Sequence, residues 1–417
     1  MSSEKQVLHL FEGFGVELEY MIVQRDTLQV MPITDKLIYD AVGKYISDVE
    51  FGDIAWSNEL VLHVVELKTQ GPAKRLDGLH QKFQQHVQKI NAMLKKYDAM
   101  LLPSGAHPLM NPYTDTRLWP HEYNTVYEAY NRIFDCRGHG WANLQSNHLN
   151  LPFANDEEFG KLHAAVRMVL PIIPALSASS PILDGKVSGL NDTRLEVYRH
   201  NQDKIPSIAG KVIPEAVFTQ QDYEQMILQK IYADLAPYDK EGELQEEFVN
   251  SRGAIARFSR HTIEIRLIDI QESPVADIAV LQAVLGAIEA LVGERWVNLD
   301  KLKAWDENRL ADMLLEVIRN GEEAMIRDKE YLQCFGYHIS GSCTVGELWK
   351  HLTQEVVVVD EDEVSYALNV ILSRGNLSRR IRQATGDQPS AEQIRQVYQQ
   401  LATCLQNGDV FLPNKSH

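Results

Sequence analysis

Near the N-terminus, Gly15-Val16-Glu17-Leu18-Glu19-Tyr20 alternates apolar and acidic residues. That is the period of a β-strand, and it stands the carboxylates of Glu17 and Glu19 side by side on one face. Three later stretches carry polar side chains in a related way. Glu66 falls near the end of the apolar run 60–67 (LVLHVVEL), with Glu59 just ahead of it. Ser146, His148 and Asn150 share one face of the strand predicted at 143–153, and Glu264 and Arg266 alternate with Ile263, Ile265 and Leu267. Any one of these alone reads as a solvated outer face. Together they are explained by one polar sheet face, a funnel with hydrophobic packing behind it.

Carboxylates gathered in such a place repel one another unless cations neutralise them. Oxygen ligands with a single imidazole suit Mg²⁺ or Mn²⁺ better than zinc. A nearby arginine adds planar donors for phosphate oxygens. These are the parts of a phosphoryl-transfer site; the competing explanation is a structural salt-bridge network. Glu59 and Glu66 are seven apart, which puts them on opposite faces of a regular strand. Either a bulge intervenes or Glu59 lies outside the strand. Arg194 and Arg199, in Asp192-Thr193-Arg194-Leu195-Glu196-Val197-Tyr198-Arg199, gain nothing from spacing alone beyond a salt-bridge role.

The elements that must position these residues follow from periodicity. Helices are expected at 34–47, 76–97, 122–134 and 161–176, with a short strand at 100–102. From Val275 onward the pattern is helical, with an apolar stripe through Ile278, Leu281, Leu285 and Ile288 and further helices at 310–327, 345–355, 364–373 and 391–405. The chain thus divides into a sheet part with inserted helices, 1–275, and a helical part packed on it, 276–417, the two forming one structural unit. His107 reads as a structural loop histidine, and Asp360-Glu361-Asp362-Glu363 as a solvated acidic loop.

With 417 residues, 44% hydrophobic and 24% charged, the composition is that of a soluble globular protein with a large core. The formal charge of −17, from 41 basic and 58 acidic residues, repels nucleic acid and anionic membranes. An anionic substrate would need local arginines and metal to overcome that field. Cys136, Cys334, Cys343 and Cys404 form no C-x-x-C and read as free thiols of a reducing compartment. Met-Ser-Ser-Glu-Lys-Gln lacks the basic and apolar regions of a leader, and the run 168–176 is too short to cross a bilayer. A cytoplasmic protein is expected, with small-molecule partners, no nucleic acid, no membrane, and a homo-oligomer left open.

Seven motifs, in order, resemble the glutamate–cysteine ligase and carboxylate–amine ligase family. They are Gly15 to Tyr20; Asn58-Glu59-Leu60 through Val65-Glu66-Leu67; Gly105-Ala106-His107-Pro108; His148-Leu149-Asn150-Leu151; Leu176-Ser177-Ala178-Ser179-Ser180-Pro181; Asp192-Thr193 with Tyr198-Arg199; and Thr262-Ile263-Glu264-Ile265-Arg266. They span residues 12 to 270 and leave the last third matched only as helices. The resemblance implies an α+β fold of the glutamine-synthetase type, a curved antiparallel sheet funnel with helices outside. It also implies an ATP-dependent ligase: a carboxylate is phosphorylated, and an amine then displaces phosphate to form an amide. Glutamate is the favoured acid and cysteine the favoured amine.

By the same resemblance, Glu17, Glu19, Glu59, Glu66, His148 and Glu264 match metal positions holding Mg²⁺, with Mn²⁺ an alternative. Arg266 matches the position facing the transferred phosphoryl, and Arg199 one facing phosphate or the substrate carboxylate. Many bacterial members carry His-x-His where this chain has His148-Leu149-Asn150, so Asn150 is assigned to substrate or water. Arg194 stands where a smaller residue is expected. Two other readings remain: a guanidino kinase, which would form no amide, and a non-catalytic protein that binds ATP or an amino acid.

Overall fold

The structure is a computed structural model and describes residues 7–338 and 341–413. The six N-terminal residues on which the absence of a leader was read lie outside them. One antiparallel sheet organises the chain. Its strands are β1 (Gly15–Gln24), β2 (Asp48–Phe51), β3 (Ile54–Asn58), β4 (Val64–Thr69), β5 (Ala99–Leu102), β6 (Ser146–Pro152), β7 (Ala254–Arg257) and β8 (Thr262–Asp269). They pair in the order β2-β3-β4-β1-β6-β8-β7, with β5 also pairing β1. Among the described residues no pair joins β2 to β7, so the sheet is open.

The alternation in β1 does what its period predicts. Val16, Leu18 and Tyr20 are fully buried in the main hydrophobic core, with Trp56 of β3, Val65 and Leu67 of β4, Leu149 and Leu151 of β6, and Ile263 and Ile265 of β8. The opposite face of the same strands carries the polar residues. Register fixes their neighbours: Glu17 lies opposite Lys68 on β4 and His148 on β6, Glu19 opposite Glu66, and Glu264 opposite Asn150. Gly15 lies opposite Asn150, and a Cβ there would sit 2.9 Å from the asparagine Cβ. A side chain at position 15 would push β1 and β6 apart at the site.

Behind the apolar face lie α1 (Thr34–Val42), α2 (Leu79–Leu94), α3 (Asn124–Phe134), α4 (Asp156–Val169), α5 (Thr193–Tyr198), α6 (Pro274–Val292), α7 (Glu307–Asn320), α8 (Val345–Val356) and α9 (Asp362–Arg374), with α3 and α5 reaching round to the polar side. On the other face, α10 (Leu377–Thr385) and α11 (Ala391–Asn407) form a second core with Met21, Val23, Met100 and Leu102 at the far ends of β1 and β5. α6 is the apolar helix of the chain, 19 residues long with a mean hydropathy of 2.0, long and apolar enough by composition to cross a membrane. It is instead buried inside the fold, packed on α2, α4, α8 and α9.

Several boundaries differ from those expected. The helix from Thr34 stops at Val42, and the next sixteen residues contain the β2–β3 hairpin, whose short strands carry too few alternations to stand out. The run 60–67 is not one strand: β4 begins only at Val64, and 59–63 form the turn from β3. Residues 254–269 are a hairpin, closed by a short 3-10 turn with His261 in the left-handed region. The apolar stretch 161–176 belongs to a helix that starts earlier, capped by the Asn155 side chain, and ends at Val169 before the prolines.

Candidate functional site

Glu17 is the hub. Its Oε2 lies 2.8 Å from His148 Nδ1, and its Oε1 accepts a hydrogen bond from the Asn150 amide at 3.0 Å. Glu19 accepts two hydrogen bonds from Ser146, one from the backbone N–H at 2.7 Å and one from the hydroxyl at 2.9 Å. The Ser146 Oγ is also 2.8 Å from His148 Nε2, so hydroxyl, imidazole and both β1 carboxylates form one connected group. Glu66 accepts from the Ser57 hydroxyl of β3, and Lys68 Nζ stands 3.4 Å from it while bonded to Asp48 at 2.6 Å. One ligand atom each from Glu17, Glu66 and His148 lie within 4.8 Å of one another.

Glu264 occupies the other flank. It is bracketed by Arg257 of β7, at 3.1 Å, and Arg266 of β8, at 2.8 Å, and lies 4.0 Å from His148. Its pKa is held far below the usual carboxylate range: burial opposes this, but the two guanidinium groups and His148 outweigh it. Burial pulls Arg266 down as well, and Glu264 more than restores it. The Tyr198 side chain, from α5, neighbours the same guanidinium.

The β4 side has the opposite electrostatics. Burial, then the Glu17 charge, pushes the Glu66 carboxyl up to about 7, even with Lys68 and Ser57 pulling it down. Glu59 is raised well above the carboxylate range by burial and by Glu19, Glu66 and Glu17. Glu17 itself is lowered: burial raises it, and the His148 hydrogen bond and charge overcome that. His148 is raised by its carboxylate neighbours against its burial. This flank has more buried carboxylate than cation. Three converging ligand atoms of O, O and N type fit a divalent cation.

The structure thus brings Glu17, Glu19, Glu66, His148, Asn150, Glu264 and Arg266 to one face. Glu59 reaches the same group from outside the strand: it follows β3, and the turn back into β4 leaves it beside Glu66. Arg199 is the exception. It caps the end of α5, and its guanidinium grips Glu196 at 2.8 and 3.1 Å instead of joining the cluster. Side chains three apart on a helix meet, and that local pairing wins. Arg194 is buried, donating to the backbone oxygens of Arg266 and Leu267 and to Asp269. It fastens α5 to β8.

Sequence reasoning passed over Lys68, Ser57 and Arg257. Lys68 was legible, two residues after Glu66 on the same face. Ser57 and Arg257 enter through the β2–β3 and β7–β8 hairpins, whose turns were not recognised. α3 closes over this face from one side: the Tyr127 hydroxyl accepts from Asn58 at 3.1 Å and feels the charges of Glu59 and Glu66, and Tyr130 lies near Arg266.

Residues 13–400 match the family model described as "Glutamate-cysteine ligase family 2(GCS2)". An uncharacterized protein of Archaeoglobus fulgidus is 32% identical over 95% of this chain and 100% of its own length. A putative glutamate–cysteine ligase 2 of Bradyrhizobium sp. is 24% identical over 52% of this chain and 48% of the relative. One from Dechloromonas aromatica is 28% identical over 44% of each. The chain matches about half the length of these ligase relatives. Among solved structures, the glutamate–cysteine ligase of Francisella tularensis in complex with AMP superposes with a TM-score of 0.58 at 13% identity, over 96% of this chain and 90% of that one. The likeness is one of fold: helices on an antiparallel sheet.

Proposed function

Since this chain belongs to glutamate–cysteine ligase family 2, we propose that it is an ATP-dependent carboxylate–amine ligase. It joins the γ-carboxylate of glutamate, the favoured acid, to the amine of cysteine, the favoured acceptor. The observation that carries this reading is the convergence of Glu17, Glu19, Glu66 and His148 beside an arginine–glutamate flank. The AMP bound by the structural neighbour supports ATP as the nucleotide.

A carboxylate is a poor electrophile. Its oxygen attacks the γ-phosphorus of ATP, ADP leaves, and the acyl phosphate so formed carries a good leaving group. The amine nitrogen then attacks the acyl carbon, phosphate departs, and the nitrogen loses a proton. Glu17, Glu19, Glu66 and His148, with Glu59 and Glu264 alongside, would hold Mg²⁺ or Mn²⁺, which neutralises phosphate oxygen charge when bound. Arg266 is the donor for the transferring phosphoryl. Glu264 fixes its guanidinium and leaves other N–H groups free. Asn150 orients Glu17 and offers an amide to substrate or water. Arg199 would reach a substrate carboxylate only by leaving Glu196. Tyr127 and Tyr130 help exclude water that would hydrolyse the acyl phosphate.

In this reading residues 1–275 carry the chemistry and 276–417 support them. A reducing, cytoplasmic setting is supported by four cysteines that are all free. The test is phosphate release from ATP and Mg²⁺ over a matrix of acids and amines, with product masses read afterwards. An amide product is expected. A phosphorylated guanidine would make the protein a kinase, and full activity in both Glu19→Gln and Arg266→Ala would refute the site.

A further inference from the structure

A second polar cavity lies among the C-terminal helices, sharing no residue with the sheet face. It measures about 440 Å³ and is lined by Asn191, Arg319, Glu322, Glu323, Arg379 and Arg382, among others. The carboxylates of Glu322, Glu323 and Asp387 are already engaged. Arg379 donates to Glu322 at 3.0 Å and to Glu323 at 2.6 Å, and Arg382 donates through Nη2 to Asp387 at 3.0 Å. Some of the cavity's donors are not. The Asn191 side-chain nitrogen and Arg382 Nε are buried without a hydrogen-bond partner, and Asn191 as a residue is only 8% exposed. Arg319 has no ion pair among the described residues, though its charge is felt at Glu196.

Leaving a buried donor without a partner is costly, so the cavity's spare capacity favours a ligand that brings acceptors. Arg319 and Arg382 each sit in the last turn of their helices, α7 and α10. There the helix dipole stabilises a cation, and Arg319, unlike Arg382 with its bond to Asp387, has no counter-ion among the described residues. We propose that this cavity binds a small oxyanion-bearing molecule, a carboxylate or a phosphate ester, through Arg319, Arg382 and Asn191. Planar guanidinium donors match either oxyanion. The volume admits more than the anionic group alone.

The position gives such a ligand a short route to the sheet. Backbone N–H groups of Asn191 and Asp192 donate to Ile318 O at 3.0 Å each, and Ser378 donates to Asn191 O. Asp192 caps α5, whose Arg194 holds the backbone oxygen of Arg266 at 3.0 Å.

The test is isothermal titration of the full chain with inorganic phosphate and, separately, with succinate, in the absence of nucleotide and divalent metal. Binding of at least one probe is expected, and the tighter of the two identifies the oxyanion. Arg319→Gln and Arg382→Gln should each weaken it about tenfold, or about 1.4 kcal/mol, and Arg266→Ala should leave it unchanged. Arg319 is exposed, so its substitution does not threaten folding. No binding of either probe at millimolar concentration overturns the proposal. So does binding indifferent to both arginine substitutions, or binding lost in Arg266→Ala.

Discussion

Two buried charge clusters, one on the polar sheet face and one beyond the end of β8, are built on different terms. Beyond the end of β8, Glu272 and Arg380 are fully buried, with both side chains at 0% exposure. Glu272 takes both guanidinium arms and the Phe411 N–H, while Arg380 also donates to the Gly375 and Phe411 oxygens. Every charge there has its complement, and α10 and the C-terminal segment are tied to the strand. On the sheet face, Glu17, Glu19, Glu59 and Glu66 crowd together, and Lys68 is shared with Asp48. A cluster complete in itself is a fastening. One that is short of positive charge has room for a cation, and the predictions below test that difference.

That contrast breaks in measurable ways. Arg380→Ala strands a buried carboxylate and should cost about 3–5 kcal/mol of stability, read as a lower urea midpoint. Removing Glu272 as well, as Glu272→Leu, should recover much of the loss. Glu66→Gln, at a carboxyl that holds its proton more tightly in the folded chain, should act in reverse. Ligase turnover falls about 100- to 1,000-fold, roughly 2.7–4 kcal/mol in barrier, and the urea midpoint of the metal-free protein holds or rises. A lowered midpoint would mean that the sheet cluster is a fastening too.

The pH dependence sharpens the comparison. Glu66 binds its proton more tightly folded, near 7, than unfolded, near 4.5. Its contribution to stability is therefore fully present below pH 4.5 and is lost as pH rises through about 7. Thermal melts of the metal-free protein should show this slope, and Glu66→Gln or added Mg²⁺ should flatten it. The smallest effect belongs to Arg199→Gln. Its pair with Glu196 is about one-third exposed on both sides, so the melting curve should move by no more than about 1 kcal/mol. A large loss of turnover in that variant would show that Arg199 leaves Glu196 for substrate.

Which side chains share a face was written into the chain. Period-two alternation set Glu17 with Glu19, Ser146 with His148 and Asn150, and Glu264 with Arg266, because successive residues of an extended strand point opposite ways whatever the fold. Strand order and register were not so written. Pairing across the sheet placed Glu17 against His148, put Ser57 on Glu66 and brought Arg257 to Glu264. The first joins residues 131 apart in sequence and the second residues 9 apart, and the Ser57 and Arg257 contacts depend on hairpin turns too short to leave a periodic signal. Tertiary packing also settled Glu59, which the β3–β4 turn swings back to the cluster, and Arg199, which a neighbour on its own helix claims. Local geometry is a property of the backbone; which carboxylates become neighbours is decided only when the apolar face of the whole sheet is buried at once.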